Sequence, residues 1–332
     1  MEYIPFFEDL KKHILENQEW NICEENYKLY KDGDTATNDE ELVFIRNTNI
    51  KYNHLESDTM IGDFINLKVP ANNSNGIFCR FSIKYLYDEY LAEGWNKVDH
   101  IINENIKMAT ITEIEEVTAN IMDYAYIHER LIIRPINFTD HRYELKDCIY
   151  EQVGDIALVL YILLYDNKEL GLGTMKVQKS VFDKWGKEFS EIWQEALVNT
   201  NVWAPPRMYT NARDMMNPPY AKGAFMAINN KIDKISPLFP PVVSTTKQTN
   251  GAIAIFYPGV QKKISEICGG NYYVAFTSID DIRIHPEGSL PPRQILQSLK
   301  DVNKQFNKPE DILSRKVFFY NCQKGKLGIV EI

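Results

Sequence analysis

The feature that most constrains this chain is its longest apolar run, IALVLYILLY, from Ile156 to Tyr165. A helix needs about 20 apolar residues to cross a bilayer. This run is too short for that, so it belongs in a protein core. It fits a strand covered on both faces. A buried helical segment gives the same pattern, and periodicity alone does not separate the two. The turn residues that follow, DNKELGLG, favour a hairpin with a partner strand at Thr174–Val177.

A strand of this kind needs apolar surfaces to cover it, and the chain supplies them. It has 332 residues, 44% of them hydrophobic and 12% aromatic. That is enough for two domains or one large one. Phe6, Phe7, Leu10, Ile14 and Leu15 share one helical face, and LVFIRN (Leu42–Asn47) reads as a strand. PANNSNG (Pro70–Gly76) is loop chemistry. IFCRFSI alternates like a strand and runs into a helix, YLYDEYLAEG, closed by Gly94. A second helix covers Trp95–Met108. Thr112 and Glu115 have the spacing of a capping box, and Ile114, Val117 and Ile121 form the stripe behind it. LIIRPINF reads as a strand that Pro135 confines to an edge or a bulge. Asp140 is placed to cap a short helix ending near Cys148.

Further on, Val181, Phe182 and Trp185 suggest a short helix closed by Gly186. Phe189, Ile192, Trp193, Ala196 and Leu197 mark an amphipathic helix. AIAIF, after Gly251, has the composition of a buried strand. Pro258 is placed to open a helix carrying Val260, Ile264 and Ile267 and ended by Gly269 and Gly270. Ile295, Leu296, Leu299, Val302 and Phe306 define a late helix that Pro291 and Pro292 begin. KVFFYN is a final strand, and LGIVEI pairs with it across QKGK. The alternation of helices and hairpin-like strand pairs favours an α+β fold. Its sheets are mixed and largely antiparallel, with amphipathic helices packed on them. The expected division is an N-terminal α+β region, 1–110, and a C-terminal α+β domain, 111–332, or else one compact unit.

Chemistry is harder to find. The net charge is −9, which does not suit general binding to a nucleic-acid backbone. No membrane attachment is expected. The five cysteines, Cys23, Cys79, Cys148, Cys268 and Cys322, form no CxxC, which suits a reducing cytoplasm. The N-terminal segment lacks the basic and apolar regions of a signal peptide. The six histidines make no HxH or HExxH pattern, so no metal site is expected. No cofactor is expected either. YPGVQKK lacks the glycines and GK[ST] ending of a phosphate loop, and GLGT (Gly171–Thr174) is too short for a dinucleotide fingerprint and reads as a hairpin turn.

Two groups of residues remain. WAPPRMYTNARDMMNPPY, from Trp203 to Tyr220, reads as a long proline-rich loop. Its Trp203, Arg207, Tyr209 and Arg213 are of the types enriched at binding hot spots, although aromatics also anchor loops to a protein body. In DDIRIH, alternation puts Asp281, Arg283 and His285 on one face of a strand. A carboxylate, a guanidinium and an imidazole together can bind or catalyse, but they also make an ordinary solvated face.

Taken in order, HERLIIRPINFTDHRYELKD, GDIALVLYILLYD, FSEIWQEALVNT, GAIAIFYPGV, NYYVAFTSIDDIRIHPEG and SLKDVNKQFNKPEDILSRKVFFY resemble the clostridial domain-of-unknown-function family 5688, over about Ile77–Tyr320. FCRFSIKYLYDEYLAEG resembles that family's N-terminal strand-and-helix unit. The strand–helix–strand end of the chain is more distantly similar to the YtpQ-like proteins, also of unknown function. The resemblance carries no catalytic residue. It implies an accessory or mobile-element protein of gut bacteria, with a protein-binding or defence-related role. The expectation is therefore a cytoplasmic, non-enzymatic protein with a protein partner. A hydrolase or nucleotide-processing enzyme with a spatially assembled site is the alternative, and an acidic inhibitor that mimics nucleic acid is another.

Overall fold

The computed structural model describes residues 3–32, 43–44, 51–52, 60–69, 77–142, 144–167, 171–210, 226 and 239–331. The expected loop Pro70–Gly76 and most of LVFIRN lie outside them. The chain divides into two compact units, Met1–Tyr126 with Leu164–Leu172, and Ile127–Leu163 with Gly173–Ile332. Among the described residues no helix is long and apolar enough to cross a membrane. The fold is α+β, with largely antiparallel sheets.

The first unit opens with α1 (Tyr3–Glu16), whose Phe6, Leu10 and Ile14 are buried at the expected spacing. Strands follow at β1 (Tyr27–Tyr30), β2 (Val43–Phe44), β3 (Lys51–Tyr52), β4 (Met60–Ile61), β5 (Phe64–Val69) and β6 (Ile77–Ser82). Four of them form a sheet in the order β1-β5-β6-β2. Helices α2 (Ile83–Glu93) and α3 (Trp95–Ala109) meet at Gly94, whose φ of 75° is open to glycine at little cost. Phe6 stacks on Trp95 with ring centroids 5.3 Å apart. Helix α4 (Thr112–Ala119) does not use the expected capping box. Ile111 is its N-cap and makes no side-chain cap, so Thr112 is already the first helical residue. Helix α5 (Tyr124–Ile127) leads out of this unit.

The second unit has two sheets. In the first, β7 (Leu131–Asn137) pairs antiparallel with β9 (Ile156–Asn167), from Leu131↔Ile162 to Asn137↔Ile156. The order is β10-β9-β7, with β10 at Gly171–Lys176, and β8 (Tyr150–Val153) also pairs β9. The apolar run is therefore a strand. One of its faces packs with Ile132, Leu145, Cys148 and Trp203. The neighbouring β7 takes a side-chain bond from helix α8 (Phe189–Trp203), whose Thr200 Oγ1 accepts the Ile133 N–H at 2.9 Å. Among the described strands β7 has one neighbour, β9, so Pro135 sits at an edge of that sheet. GLGT is not a turn: its four residues begin β10. Asp140 is not a cap either. It lies within α6 (Phe138–His141), and the Asn137 side chain caps that helix by accepting the Asp140 N–H. The short helix α7 spans Lys179–Phe182.

The second sheet has six antiparallel strands in the order β11-β12-β14-β13-β15-β16. These are β11 (Pro206–Tyr209), β12 (Val242–Thr245), β13 (Tyr272–Ala275), β14 (Ile282–Pro286), β15 (Val317–Asn321) and β16 (Lys326–Ile329). On one face, helix α10 (Pro292–Gln305) buries Ile295 and Leu299 against Ala275 and Val317. On the other, Phe256 stacks on Phe276, and the Tyr272 hydroxyl donates to the Gln261 carbonyl of α9 (Val260–Cys268) at 3.1 Å.

Two sequence expectations fail here. GAIAIF (Gly251–Phe256) is a 3₁₀ helix, not a strand. Gly251 to Ile255 are all buried, so the run lacks any polar position to reveal its period. Pro206–Tyr209, inside the expected long loop, is a strand, because Arg207↔Ser244 and Met208↔Val243 give it a full partner in β12.

Candidate functional site

The two candidate groups converge in part. Register puts Tyr209, Val242, Arg283, Ala275 and Val317 side by side across five strands. Directly paired residues of antiparallel strands share a face. Arg207 lies two residues from Tyr209 and His285 two from Arg283, so they share it as well. Helix α10 covers this face over β13 and β15. Arg207, Tyr209, Arg283 and His285 lie over β11, β12 and β14.

Arg283 is half-buried. Its guanidinium sits 5.2 Å from the Phe239 ring centroid and donates to the Pro240 carbonyl at 3.4 Å. Burial lowers its pKa, and the nearby Asp281 carboxylate works against that shift. His285 is 8% exposed. Burial, and then the Arg283 charge, push its imidazole down to about 4. At neutral pH it is an uncharged hydrogen-bonding group. Asp281 precedes β14 instead of lying in it, and its carboxylate takes the Thr277 hydroxyl. The three residues are thus electrically coupled around Arg283. Thr277 and Phe239 belong to the same cluster, and nothing in their spacing marks them. Phe239 comes from a distant segment that only the fold brings to Arg283.

The proline-rich group is dispersed. Trp203 ends α8 and packs against the core beneath β9, with Lys247 Nζ 5.2 Å from its ring centroid. Tyr209 is buried. Arg207 turns back along its own strand, and its Nη1 donates to the Pro206 carbonyl at 2.9 Å. The Arg207 Nε is buried and has no hydrogen-bond partner among the described residues. Arg213 lies outside the described residues. Among the described residues no group of three or more His, Cys, Asp or Glu could hold a metal ion.

Backbone geometry adds a further element. The Thr246 N–H reaches the Pro205 carbonyl at 2.9 Å. With the register Arg207↔Ser244, the hydrogen-bonded positions are odd-numbered on β11. The N–H of Met208 and the carbonyl of Pro206 therefore point to the outer edge, where no described strand pairs.

The model of one protein family, a family of unknown function (DUF5688), matches residues 45–322. No curated protein and no solved structure matches the chain.

Proposed function

The chain belongs to this family of unknown function, and we propose that it is a non-enzymatic binding protein that takes an extended, acidic segment of a protein partner along the outer edge of β11. The observation that carries this reading is the edge itself. Met208 offers an outward amide, and the Arg207 guanidinium lies against the outward carbonyl of Pro206. An unpaired strand edge is a template for another strand, and proteins use it to bind extended peptides. Lys247 stands over Trp203, beyond the Thr245 that pairs with Pro206. Two cations therefore flank one end of the strand, which favours carboxylate side chains on the partner. All five cysteines are free thiols, which supports a reducing, cytoplasmic setting.

The test is affinity capture from host extract with the native chain, followed by two variants. Met208→Pro removes the outward N–H and leaves the ladder to β12 in place. Arg207→Glu reverses the charge at the edge. Met208→Pro should weaken partner capture about fivefold, as expected for one lost neutral backbone hydrogen bond, and Arg207→Glu at least about tenfold, as expected for a lost contact to a charged group, with melting temperature kept. Undiminished capture by Met208→Pro overturns the reading. Trp203→Ala is a poor probe, because that ring also fills the core.

A further inference from the structure

Arg134 is the one charged residue of the strand LIIRPIN. It is half-buried on the face of the β10-β9-β7 sheet that carries Ile132, Val159 and Tyr161. Its Nε donates to Asn250 Oδ1 at 3.1 Å and its Nη1 to Thr174 Oγ1 at 2.5 Å. Its guanidinium sits 4.9 Å from the Tyr161 ring centroid. Both hydrogen-bond acceptors are neutral, and no described carboxylate lies within ion-pair distance. Asp280 feels its field, but the Asp280 carboxylate is bound to the Asn250 N–H at 2.7 Å. Lys176, two residues beyond Thr174 on β10, is already paired with Glu144 at 2.7 Å.

Around this cation, which has no ion pair among the described residues, the unused groups are donors. Tyr161 is only 6% exposed, and its hydroxyl makes no hydrogen bond to a described residue. Asn250, at 3% exposure, accepts from Arg134 through Oδ1 while its Nδ2 has no partner. Buried polar groups are almost always satisfied, and the exceptions call for a cause. A half-buried charge without a counter-ion is costlier still. The turn that presents Asn250 is itself strained. Gln248 and Asn250 both have positive φ, 57° and 54°, and such conformations persist where the surroundings enforce them.

We propose that Arg134, the Tyr161 hydroxyl and Thr174 form a built site for the carboxylate group of a small organic acid. A positive charge with no described carboxylate at ion-pair distance matches one monoanion, and the guanidinium fork matches the two oxygens of a carboxylate. Arg134 and Thr174 are half-buried, so the site is open on their side. Tyr161 and Trp203, in the same cluster, supply apolar surface for the rest of the acid. This site is independent of the β11 edge.

The test titrates the full chain with acetate, benzoate and inorganic phosphate at matched ionic strength, with chloride as control, and reads melting temperature. Acetate and benzoate should raise it saturably, benzoate at lower concentration. Tyr161→Phe deletes only the hydroxyl. It should leave the ligand-free melting temperature unchanged or higher and weaken carboxylate binding about tenfold. Arg134→Gln should abolish the saturable response. If Arg134→Gln does not fold, the Tyr161→Phe comparison decides. No saturable effect beyond chloride, an unaltered response in Tyr161→Phe, or saturation by phosphate alone would each overturn the proposal.

Discussion

Two glycines separate space from conformation at the residue scale. A Cβ at Gly251 would overlap Ser244 Oγ and the Asp280 carbonyl. These two are themselves joined at 2.6 Å, so neither can retreat cheaply. Gly251→Ala should destabilise by about 2–3 kcal/mol, the cost of overpacking a tight core, measured by urea denaturation. Gly269 has open space around its Cβ position but a φ of 77°. Gly269→Ala should cost about 1 kcal/mol, the left-handed penalty alone. Equal losses at the two positions would refute this account. The sequence marks Gly269 as a helix end. It gives no sign that Gly251 is the tighter site, because Ser244 and Asp280 reach it only through the sheet.

Among the elements, α10 is held by Ile295 and Leu299, buried against Ala275 and Val317. Leu299→Ala should cost about 2–5 kcal/mol, the usual range for a buried leucine. Phe306, at 77% exposure, belongs to the same apolar series in the sequence. Phe306→Ser should change stability by less than about 0.5 kcal/mol. Thermal denaturation of both variants checks the pair. Helix α10 was legible because its polar and apolar faces alternate with a clear period. Strand β11 was not, because two prolines and a short length hide a strand whose described ladder partner, β12, lies far along the chain. The 3₁₀ segment at Gly251–Phe256 is hidden for the opposite reason: it is apolar throughout, and a uniformly buried run carries no period.

At the scale of the whole molecule, stability should fall in two acid windows. His285 has a folded pKa near 4, below its ordinary 6.5. Its contribution is present above pH 6.5 and is lost as pH falls toward 4. At about 1.4 kcal/mol for each pH unit, the loss is at most about 3 kcal/mol. His285→Gln should flatten that window. Glu144 is held at about 2, first by its hydrogen bond to His141, with Lys176 also favouring the carboxylate against desolvation. Its contribution is present above pH 4.5 and is lost as pH falls toward 2, so Glu144→Gln should flatten only the lower window. Chemical denaturation at stepped pH reads both. The α+β class and the amphipathic helices are written in local composition and period, and the family in the order of the segments along the chain. The run Ile156–Tyr165 announces a buried element, and its pairing with β7 makes it a strand. The tertiary structure alone brings Arg283 to Phe239, leaves β11 with no outer partner among the described strands, and sets Arg134 over Tyr161 with no described carboxylate at ion-pair distance. Those facts depend on which distant segments become neighbours, and strand register and packing fix that, leaving no local pattern to read.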